Sequence, residues 1–237
     1  MQTGSAKHEQ ASEFMSREIA RLKEADLDWK VQILDGPSQA RTKVNGKEDV
    51  IVLCSNNYLG LANHPKLKEA ALSAIQEYGA GSGSVRVIAG TMRIHVELEK
   101  VLRDYKGVED SILFQSGFAA NSGCIQQLVE EGDLIVSDEL NHGSIIDGCR
   151  LSSAKRMVYK HRDVENLERV LEQNSSLYRR ILVITDGVFS MDGDVAPLDK
   201  ITSVAKSHGA MVYVDDAHGD GVLGDNGKGI VNHFKLE

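Results

Sequence analysis

The segment VITDGVFSMDGDVAPLDKITSVAKSHGAMVYVDDAHGDGVLG, from Val183 to Gly224, decides the fold of this chain. Two short apolar runs, Ile181–Ile184 and Met211–Val214, each end in acidic and hydroxyl residues, as buried strands do at the edge of a sheet. Between the two runs, apolar residues in the segment 197–208 recur at helical spacing, and Gly209 supplies a helix stop. Strand, helix and strand in this order form a crossover unit, so the sequence predicts a parallel sheet.

Polar side chains gather where these two predicted strands end. Asp186 and Ser190 follow the first strand, and Asp215 and His218 follow the second. Ligands of open parallel sheets bind beyond the carboxyl ends of the strands. We therefore expect a functional site at this edge of the sheet.

Length, composition and charge limit the class of protein. With 237 residues, 41% of them apolar and 26% charged, the chain can bury a real core as one large domain or one and a half. The net charge of −8 argues against nucleic acid as a partner. No apolar run approaches the roughly 20 residues of a membrane span, and the first residues lack a signal-peptide pattern, so we expect a cytoplasmic protein without a membrane partner. Cys54, Cys124 and Cys149 are expected to be free thiols, and no metal site is predicted.

Residues 1–55 are predicted to form an N-terminal segment of one helix and one hairpin. An apolar stripe predicts the helix near residues 10–27. Asn45 and Gly46 predict the hairpin tip, because this dipeptide tolerates the positive φ angles of a type I′ turn. Val50–Leu53 would be the return strand.

The rest of the chain, residues 56–237, is predicted to be one large α/β domain. Pro65 opens an amphipathic helix and Gly107 closes another, while the stretch from Gly79 to Thr91 between them is too rich in glycine for a regular element. Strands and helices then alternate. The predicted strands are Ser111–Phe114, Leu134–Ser137, Arg156–Tyr159, Ile181–Ile184 and Met211–Val214, and the helices between them are Gly117–Glu131, 142–150, a helix capped by Asp163, and 197–208. Repeated βα units predict a three-layer α/β sandwich with a mostly parallel sheet, and no further strand or helix is predicted after Gly224.

Two places in this domain suggest ligand binding without proving it. Ser116 is a good N-cap, and the backbone N–H groups of Gly117 and Phe118 would form an anion site at the start of a helix, although an ordinary tight turn explains them equally simply. His142 could cap the next helix or pack against a flat ligand. Asp215, at the buried mouth of the sheet, needs a partner such as a protonated ring nitrogen.

Six motifs then resemble one family. They are NNYLGLANHP, GSVRVIAGT, QSGFAAN, SDELNHGSIIDGCRL, TDGVFSMDGD and VDDAHGDGVLG, and they span the chain from about Asn56 to Phe234. Together they resemble the α-oxoamine synthases, pyridoxal phosphate (PLP) enzymes of aminotransferase fold type I that condense an amino acid with an acyl-CoA. Within the family, SVRVIAGT and SIIDGCRL are most similar to glycine C-acetyltransferase, which makes 2-amino-3-oxobutyrate from glycine and acetyl-CoA. The alternative is 8-amino-7-oxononanoate synthase, which uses alanine and a pimeloyl thioester.

The resemblance implies specific site residues. It assigns binding of the PLP cofactor to six of them: Gly117, Phe118, His142, Ser190, Asp215 and His218. The first two would give backbone N–H groups to the phosphate, and His142 would stack on the pyridine ring. Asp215 would pair with the pyridinium nitrogen, while Ser190 and His218 would donate near the ring oxygen. His142 and His218 are also the catalytic candidates, and Asn57 would orient the substrate.

The sequence departs from the family pattern in one major respect. The family's Schiff-base lysine lies in a Ser-Lys motif downstream of VDDAH, and neither Lys228 nor Lys235 has that context. The resemblance also implies a small C-terminal domain, which we expect to be absent from these 237 residues. We therefore expect the N-terminal part of a homodimeric enzyme, prone to association and binding PLP weakly and without a covalent bond. A non-catalytic, lysine-free partner subunit is the alternative. A smaller departure, Gly219-Asp220, is expected to add a carboxylate near the site.

Overall fold

The computed structural model describes residues 11–237, which form two compact units divided between Asn63 and His64. In the first unit, helix α1 (Ala11–Glu24) precedes an antiparallel hairpin of β1 (Arg41–Val44) and β2 (Lys47–Ile51). The hairpin tip is as predicted, with φ of 48° at Asn45 and 73° at Gly46. The return strand begins and ends earlier than predicted. Residue 10, where the predicted first helix starts, lies outside the described residues.

The second unit contains the alternating helices and strands. Its elements are α2 (Pro65–Tyr78), a π-helical turn (Arg86–Gly90), α3 (Arg93–Lys106), α4 (Gly117–Leu128), β3 (Leu134–Asp138), α5 (Gly143–Leu151), β4 (Lys155–Tyr159), α6 (Val164–Asn174), β5 (Ile181–Asp186), β6 (Val188–Phe189), β7 (Asp194–Val195), α7 (Leu198–Ser207), β8 (Met211–Asp215), a 3₁₀ turn (Asp225–Gly227) and α8 (Ile230–His233).

The central sheet has the strand order β4-β3-β5-β8, and every neighbouring pair is parallel. Side chains alternate across it, as strand geometry requires. On β5, Ile181 and Val183 pack with α6, α7 and α8, whereas Leu182 and Ile184 pack with α4 and α5 on the opposite face. A separate apolar cluster therefore covers each face, and the predicted three-layer α/β architecture is confirmed.

Local capping signals set three helix boundaries where the sequence placed them, although α4 ends at Leu128, earlier than the predicted Glu131. The Ser116 hydroxyl accepts the Ala119 N–H at 3.1 Å at the start of α4, and Asp163 accepts the Asn166 N–H at 2.8 Å at the start of α6. Gly107 ends α3 in the left-handed conformation, with φ of 70°. These contacts satisfy backbone groups that helix ends leave without partners.

The predicted strand Ser111–Phe114 is wrong. This segment is irregular because its polar groups bind α3 instead of a sheet: the Ser111 hydroxyl donates to the Glu99 carbonyl at 2.6 Å, and the Leu113 N–H donates to the Glu99 carboxylate at 3.0 Å. Arg86 holds the same carboxylate through two hydrogen bonds, of 2.8 and 3.1 Å. The hydrogen bonds from Arg86 and from the Leu113 N–H lower the pKa of Glu99 to about 2.

Two further predictions need correction. The glycine-rich stretch from Gly79 to Thr91 is not wholly irregular, since it contains the π-helical turn that ends at Gly90. The residues after Gly224 do form regular structure, namely the 3₁₀ turn and the short helix α8, whose Ile230 is fully buried against the sheet. Within residues 11–237, none of the helices combines the length and the apolar character needed to cross a membrane.

Candidate active site

A cleft of about 310 Å³ opens beyond the carboxyl ends of β3, β5 and β8. All six residues predicted to bind the cofactor line it: Gly117, Phe118, His142, Ser190, Asp215 and His218. They come from four different segments of the second unit, and the parallel sheet brings those segments together at one edge. The cleft therefore lies where the strand order predicts a ligand site.

The N-terminus of α4 forms one wall of the cleft. Ser116 caps the helix, and the N–H groups of Gly117 and Phe118 belong to its first turn, where no intrahelical acceptor exists. A β-carbon built on Gly117 would meet no atom within 4 Å, so the space beside these N–H groups is open. The helix dipole adds partial positive charge here, which suits a phosphate group.

His142 stands at the N-terminus of α5, and its ring is held from one side. Its Nδ1 atom lies 2.6 Å from the Ser144 hydroxyl and accepts the Ser144 backbone N–H at 3.2 Å. Since Nδ1 accepts, the ring proton of the neutral imidazole belongs on Nε2. The His142 side chain is otherwise exposed to the cleft, where it offers an aromatic face. His142 thus caps a helix, as one of the two predicted possibilities requires, and it also faces the cleft; its packing against a flat ligand stays a prediction.

Asp215, the last residue of β8, is half-buried and held by neutral donors. Its Oδ2 atom accepts the Asn121 side-chain amide at 2.7 Å, and its Oδ1 atom accepts the Ala217 N–H at 3.1 Å. Hydrogen bonds from neutral groups fix the carboxylate without neutralising it, so Asp215 can pair with a cation in the cleft.

Asp186 ends β5 and pairs in register with Asp215 on the adjacent strand. It is almost fully buried, and burial raises its pKa to about 6, with the neighbouring charge of Asp215 acting in the same direction. The His142 backbone N–H donates to Asp186 at 2.7 Å and opposes that rise. Asn141 accepts the Asp186 N–H at 2.8 Å, so both ends of this residue are fixed.

Ser190 and Met191 lie at the tip of the β6–β7 hairpin and line the cleft. The base of this hairpin is held by His161, whose Nδ1 and Nε2 atoms lie 2.9 Å from Asp138 and 3.3 Å from Asp194. Burial lowers the pKa of His161, but the hydrogen bonds and charges of the two aspartates outweigh burial and raise it. His161 thus ties the end of β3 to the segment that carries Ser190.

The loop after β8 carries His218 and is folded around Asp216. A β-carbon on Gly219 would lie 2.1 Å from Asp216 Oδ1, so only glycine fits there without movement. Burial raises the pKa of Asp216, whose Oδ2 atom accepts the Ile230 N–H at 2.8 Å. Asp220, expected to add a carboxylate near the site, is exposed and pairs with Lys106 at 3.1 Å, outside the cleft lining.

Asn57, the predicted substrate residue, belongs to the first unit. Its side-chain amide donates to the Ser38 carbonyl at 3.1 Å, and its oxygen accepts the Ala62 N–H at 3.1 Å. Both contacts shape its own loop. Its role toward a substrate stays a prediction.

Sequence reasoning missed Asn121 and Ser144. Asn121 follows Gly117 by four residues and so lies one turn along the same face of α4, which is a usable signal for a polar side chain directed toward the sheet. Ser144 follows His142 by two residues, the spacing at which a helix cap meets its partner. Neither residue type at these spacings specifies a site by itself.

The donor set of the cleft fits PLP. The phosphate matches the open helix N-terminus, the pyridine ring matches the exposed face of His142, and the ring nitrogen matches the carboxyl group of Asp215, whose hydrogen-bond donors in the protein are neutral. The fold and this combination of groups are those of the PLP-binding region of aminotransferase fold type I.

The comparisons with known proteins agree. The chain belongs to the aminotransferase class I and II family, whose model matches residues 48–236. It is 56% identical over 224 residues to the 8-amino-7-oxononanoate synthase of Alkaliphilus metalliredigens, covering 94% of this chain and 56% of that protein. The Symbiobacterium thermophilum synthase is 56% identical over 226 residues, with 95% and 57% covered. A solved structure of a serine palmitoyltransferase variant from S. paucimobilis with a bound PLP–myriocin aldimine superposes with a TM-score of 0.89 at 34% identity, covering 97% of this chain and 60% of that one.

These relatives refine the sequence interpretation in two ways. The solved serine palmitoyltransferase structure carries a PLP–myriocin aldimine, in agreement with the cofactor that the resemblance implied. The names of the curated relatives favour the 8-amino-7-oxononanoate synthase alternative over glycine C-acetyltransferase. The chain spans a little over half the length of the curated relatives that it matches.

Proposed function

We propose that this chain provides the cofactor-binding region of an 8-amino-7-oxononanoate synthase, which condenses alanine with a pimeloyl thioester and releases the thiol and the alanine carboxyl group as carbon dioxide. The observation that carries the proposal is the gathering of an open helix N-terminus, an aromatic imidazole and a charged carboxylate in one cleft. Identity of 56% to synthases of that name supports the choice of substrates.

PLP, when bound, supplies an electron sink for negative charge that develops on the amino acid Cα. The chain's own residues position and tune it. In our proposal the N–H groups of Gly117 and Phe118 bind the phosphate, with the dipole of α4 adding to the attraction. This end of the site carries no lysine or arginine among its lining residues, so backbone N–H groups carry most of the phosphate binding.

Asp215 would hold a proton on the ring nitrogen. A carboxylate in a partly buried cleft favours the protonated form of a nitrogen that it faces, because the low local dielectric strengthens the ion pair. His142 would support the ring through its aromatic face, and Ser190 and His218 would donate hydrogen bonds to the ring oxygen. Asn57 would orient the amino acid substrate.

The proposal includes the setting of the enzyme. We propose a homodimer in the cytoplasm that meets only small-molecule substrates, an amino acid and an acyl thioester. The free thiols of Cys54, Cys124 and Cys149 support a reducing compartment. The amino acid and the acyl-chain length both separate this proposal from the glycine and acetyl-CoA reaction.

The test is a substrate comparison with protein expressed from the full open reading frame and loaded with PLP. Release of free thiol is followed with alanine and pimeloyl-CoA, with glycine and acetyl-CoA, and with serine and palmitoyl-CoA. We expect the first pair to be preferred by kcat/KM, and Asp215→Ala to abolish the release. Preference for either other pair would refute the substrate assignment and leave the acyltransferase class intact.

A second measurement addresses the covalent anchor. Borohydride reduction of the PLP-loaded protein, followed by peptide mapping, identifies the lysine that binds the cofactor. We expect it in a Ser-Lys motif encoded after codon 237. A reduced adduct at Lys228 or Lys235 would refute that expectation, and absence of any adduct or thiol release would favour the partner-subunit alternative.

A further inference from the structure

Asn121 is a buried amide that the proposed chemistry does not yet use. It lies on α4 with 3% of its surface exposed, and all of its hydrogen-bonding groups have partners. Its Nδ2 atom donates to Asp215 Oδ2 at 2.7 Å and to Ser144 Oγ at 2.9 Å. Its Oδ1 atom accepts the Tyr213 hydroxyl at 2.8 Å. The side chain thus joins three elements of the cleft wall: α4, α5 and β8.

Asp215 fixes which way this amide points. Its carboxylate accepts hydrogen bonds and so requires an N–H group of Asn121, which leaves the amide oxygen for the Tyr213 hydroxyl. Burial raises the pKa of the Tyr213 phenol to about 12, so the hydroxyl keeps the proton that it donates to this oxygen. A flipped amide would set its oxygen against the Asp215 carboxylate and leave the phenol without an acceptor.

Ser144 connects the Asn121 amide to His142 through hydrogen bonds. The Ser144 hydroxyl accepts from Asn121, so its own proton is free to donate to His142 Nδ1 at 2.6 Å. The Ser144 backbone N–H donates to the same nitrogen. Nδ1 therefore receives two donors, and the neutral ring carries its proton on Nε2.

We propose that Asn121 is a positioning residue that sets two cofactor contacts at once: the direction of the Asp215 carboxylate and the tautomer of the His142 ring. The inference rests on the proposed function, which gives these two residues to the ring nitrogen and the ring face of PLP. One amide couples them, because rotation of its plane breaks both hydrogen bonds together. Its neutrality matters as much as its geometry, since a cation here would neutralise Asp215.

The first test uses the protein without PLP, so it does not depend on the proposed function. Two-bond ¹H–¹⁵N correlation spectra report the tautomer of each histidine. In the wild type we expect the His142 pattern of a neutral ring with its proton on Nε2. In Asn121→Ala we expect a mixture of tautomers. Protonation of His142 on Nδ1 in the wild type, or a spectrum unchanged by N121A, would overturn the proposal.

The second test measures PLP affinity and the pH titration of bound PLP by absorbance. We expect N121A to weaken binding by roughly tenfold or more, because a charged partner loses a buried donor. It should also shift the absorbance titration, a change that loss of packing alone would not produce. Ser144→Ala is the matched control: it should alter the His142 spectrum and leave the titration that reports on Asp215 near the wild type.

Tyr213→Phe is a second variant that tests the same contacts if N121A does not fold. It removes one hydroxyl and releases the amide, so it should change the His142 spectrum and the titration in the same directions, with smaller amplitudes. Normal behaviour of Y213F would overturn the proposal. Failure of the wild type to bind PLP would refute the proposed function instead, while the tautomer spectra would still decide whether Asn121 sets His142.

Discussion

Replacing Asp186 by asparagine should make folding stability less dependent on pH. Asp186 is buried at the end of β5, next to Asp215, and its pKa rises from an ordinary 3.8 to about 6. A carboxyl group whose pKa is raised on folding contributes stability that is complete below its unfolded pKa and is lost as the pH rises through its folded pKa. The wild type should therefore lose this contribution between pH 3.8 and about 6. Asparagine keeps an oxygen that can accept the His142 N–H and never ionises.

The expected size follows from the shift. A change from 3.8 to about 6 corresponds to about 3 kcal/mol at most. Screening by solvent in the open cleft reduces this to roughly 1 to 2 kcal/mol. Relative to wild type, D186N should gain that amount of unfolding free energy as the pH is raised from 4 to 7. Any constant packing cost of the substitution cancels in this comparison.

Urea denaturation followed by circular dichroism at several pH values measures the effect. Asp192→Asn is the control. Asp192 is an exposed residue of the same cleft, and its substitution also removes one carboxyl group. The reasoning is refuted if the difference between D186N and wild type stays constant with pH, or if D186N becomes relatively less stable as the pH rises. The second result would mean that ionised Asp186 stabilises the fold.

Three further predictions concern the surroundings of the cleft. Glu99→Gln should lower the thermal midpoint at pH 7, because the lowered pKa of Glu99 means that its ionised form stabilises the fold. The difference from wild type should shrink as the pH falls from 4.5 toward 2 and Glu99 becomes protonated. Gly219→Ala, which sets a methyl group 2.1 Å from Asp216, should lose about 1 to 3 kcal/mol in urea denaturation, whereas Gly81→Ala in open space should cost far less. His161→Gln should destabilise more at pH 6 than at pH 9, because the raised pKa of His161 makes its pairing strongest at low pH; equal losses at both values would contradict this.

Most of the fold could be predicted because its signals are local. The apolar runs of β5 and β8, the N-cap serine at residue 116 and the glycine at 107 each act within a few residues, and each formed the element predicted. Ser111–Phe114 failed for the opposite reason. Its apolar pattern fits a strand, but the Glu99 side chain, more than ten residues earlier, binds its backbone and competes with sheet pairing.

The candidate site could likewise be predicted only in part, where its signals are local in the sequence. Strand ends and helix starts are visible in the sequence, so the six predicted cofactor residues do line one cleft. The residues behind them are not visible, because Asn121 meets Asp215 only after α4 packs across the sheet onto β8. No spacing between residues 121 and 215 encodes that contact. The resemblance to a family predicted the residues that line the cleft, and the structure adds Asn121, which holds Asp215 from behind the cleft wall.

The pairing register of β5 and β8 gives the two aspartates at the ends of these strands different environments in the cleft. The register sets Asp186 and Asp215 side by side, and two adjacent charges would raise the cost of ionising either. Their neighbours differ: Asp186 is almost fully buried and its carboxylate receives the His142 N–H, whereas Asp215 is half-buried and faces the cleft with donors on both oxygens. Burial therefore raises the pKa of Asp186 to about 6, whereas the Asp215 carboxyl group lies at the surface of the cleft, where a ligand can reach it. A slip of β8 by one residue would turn the Asp215 side chain to the opposite face of the sheet, which is why strand register, and not only residue identity, determines what the cleft can bind.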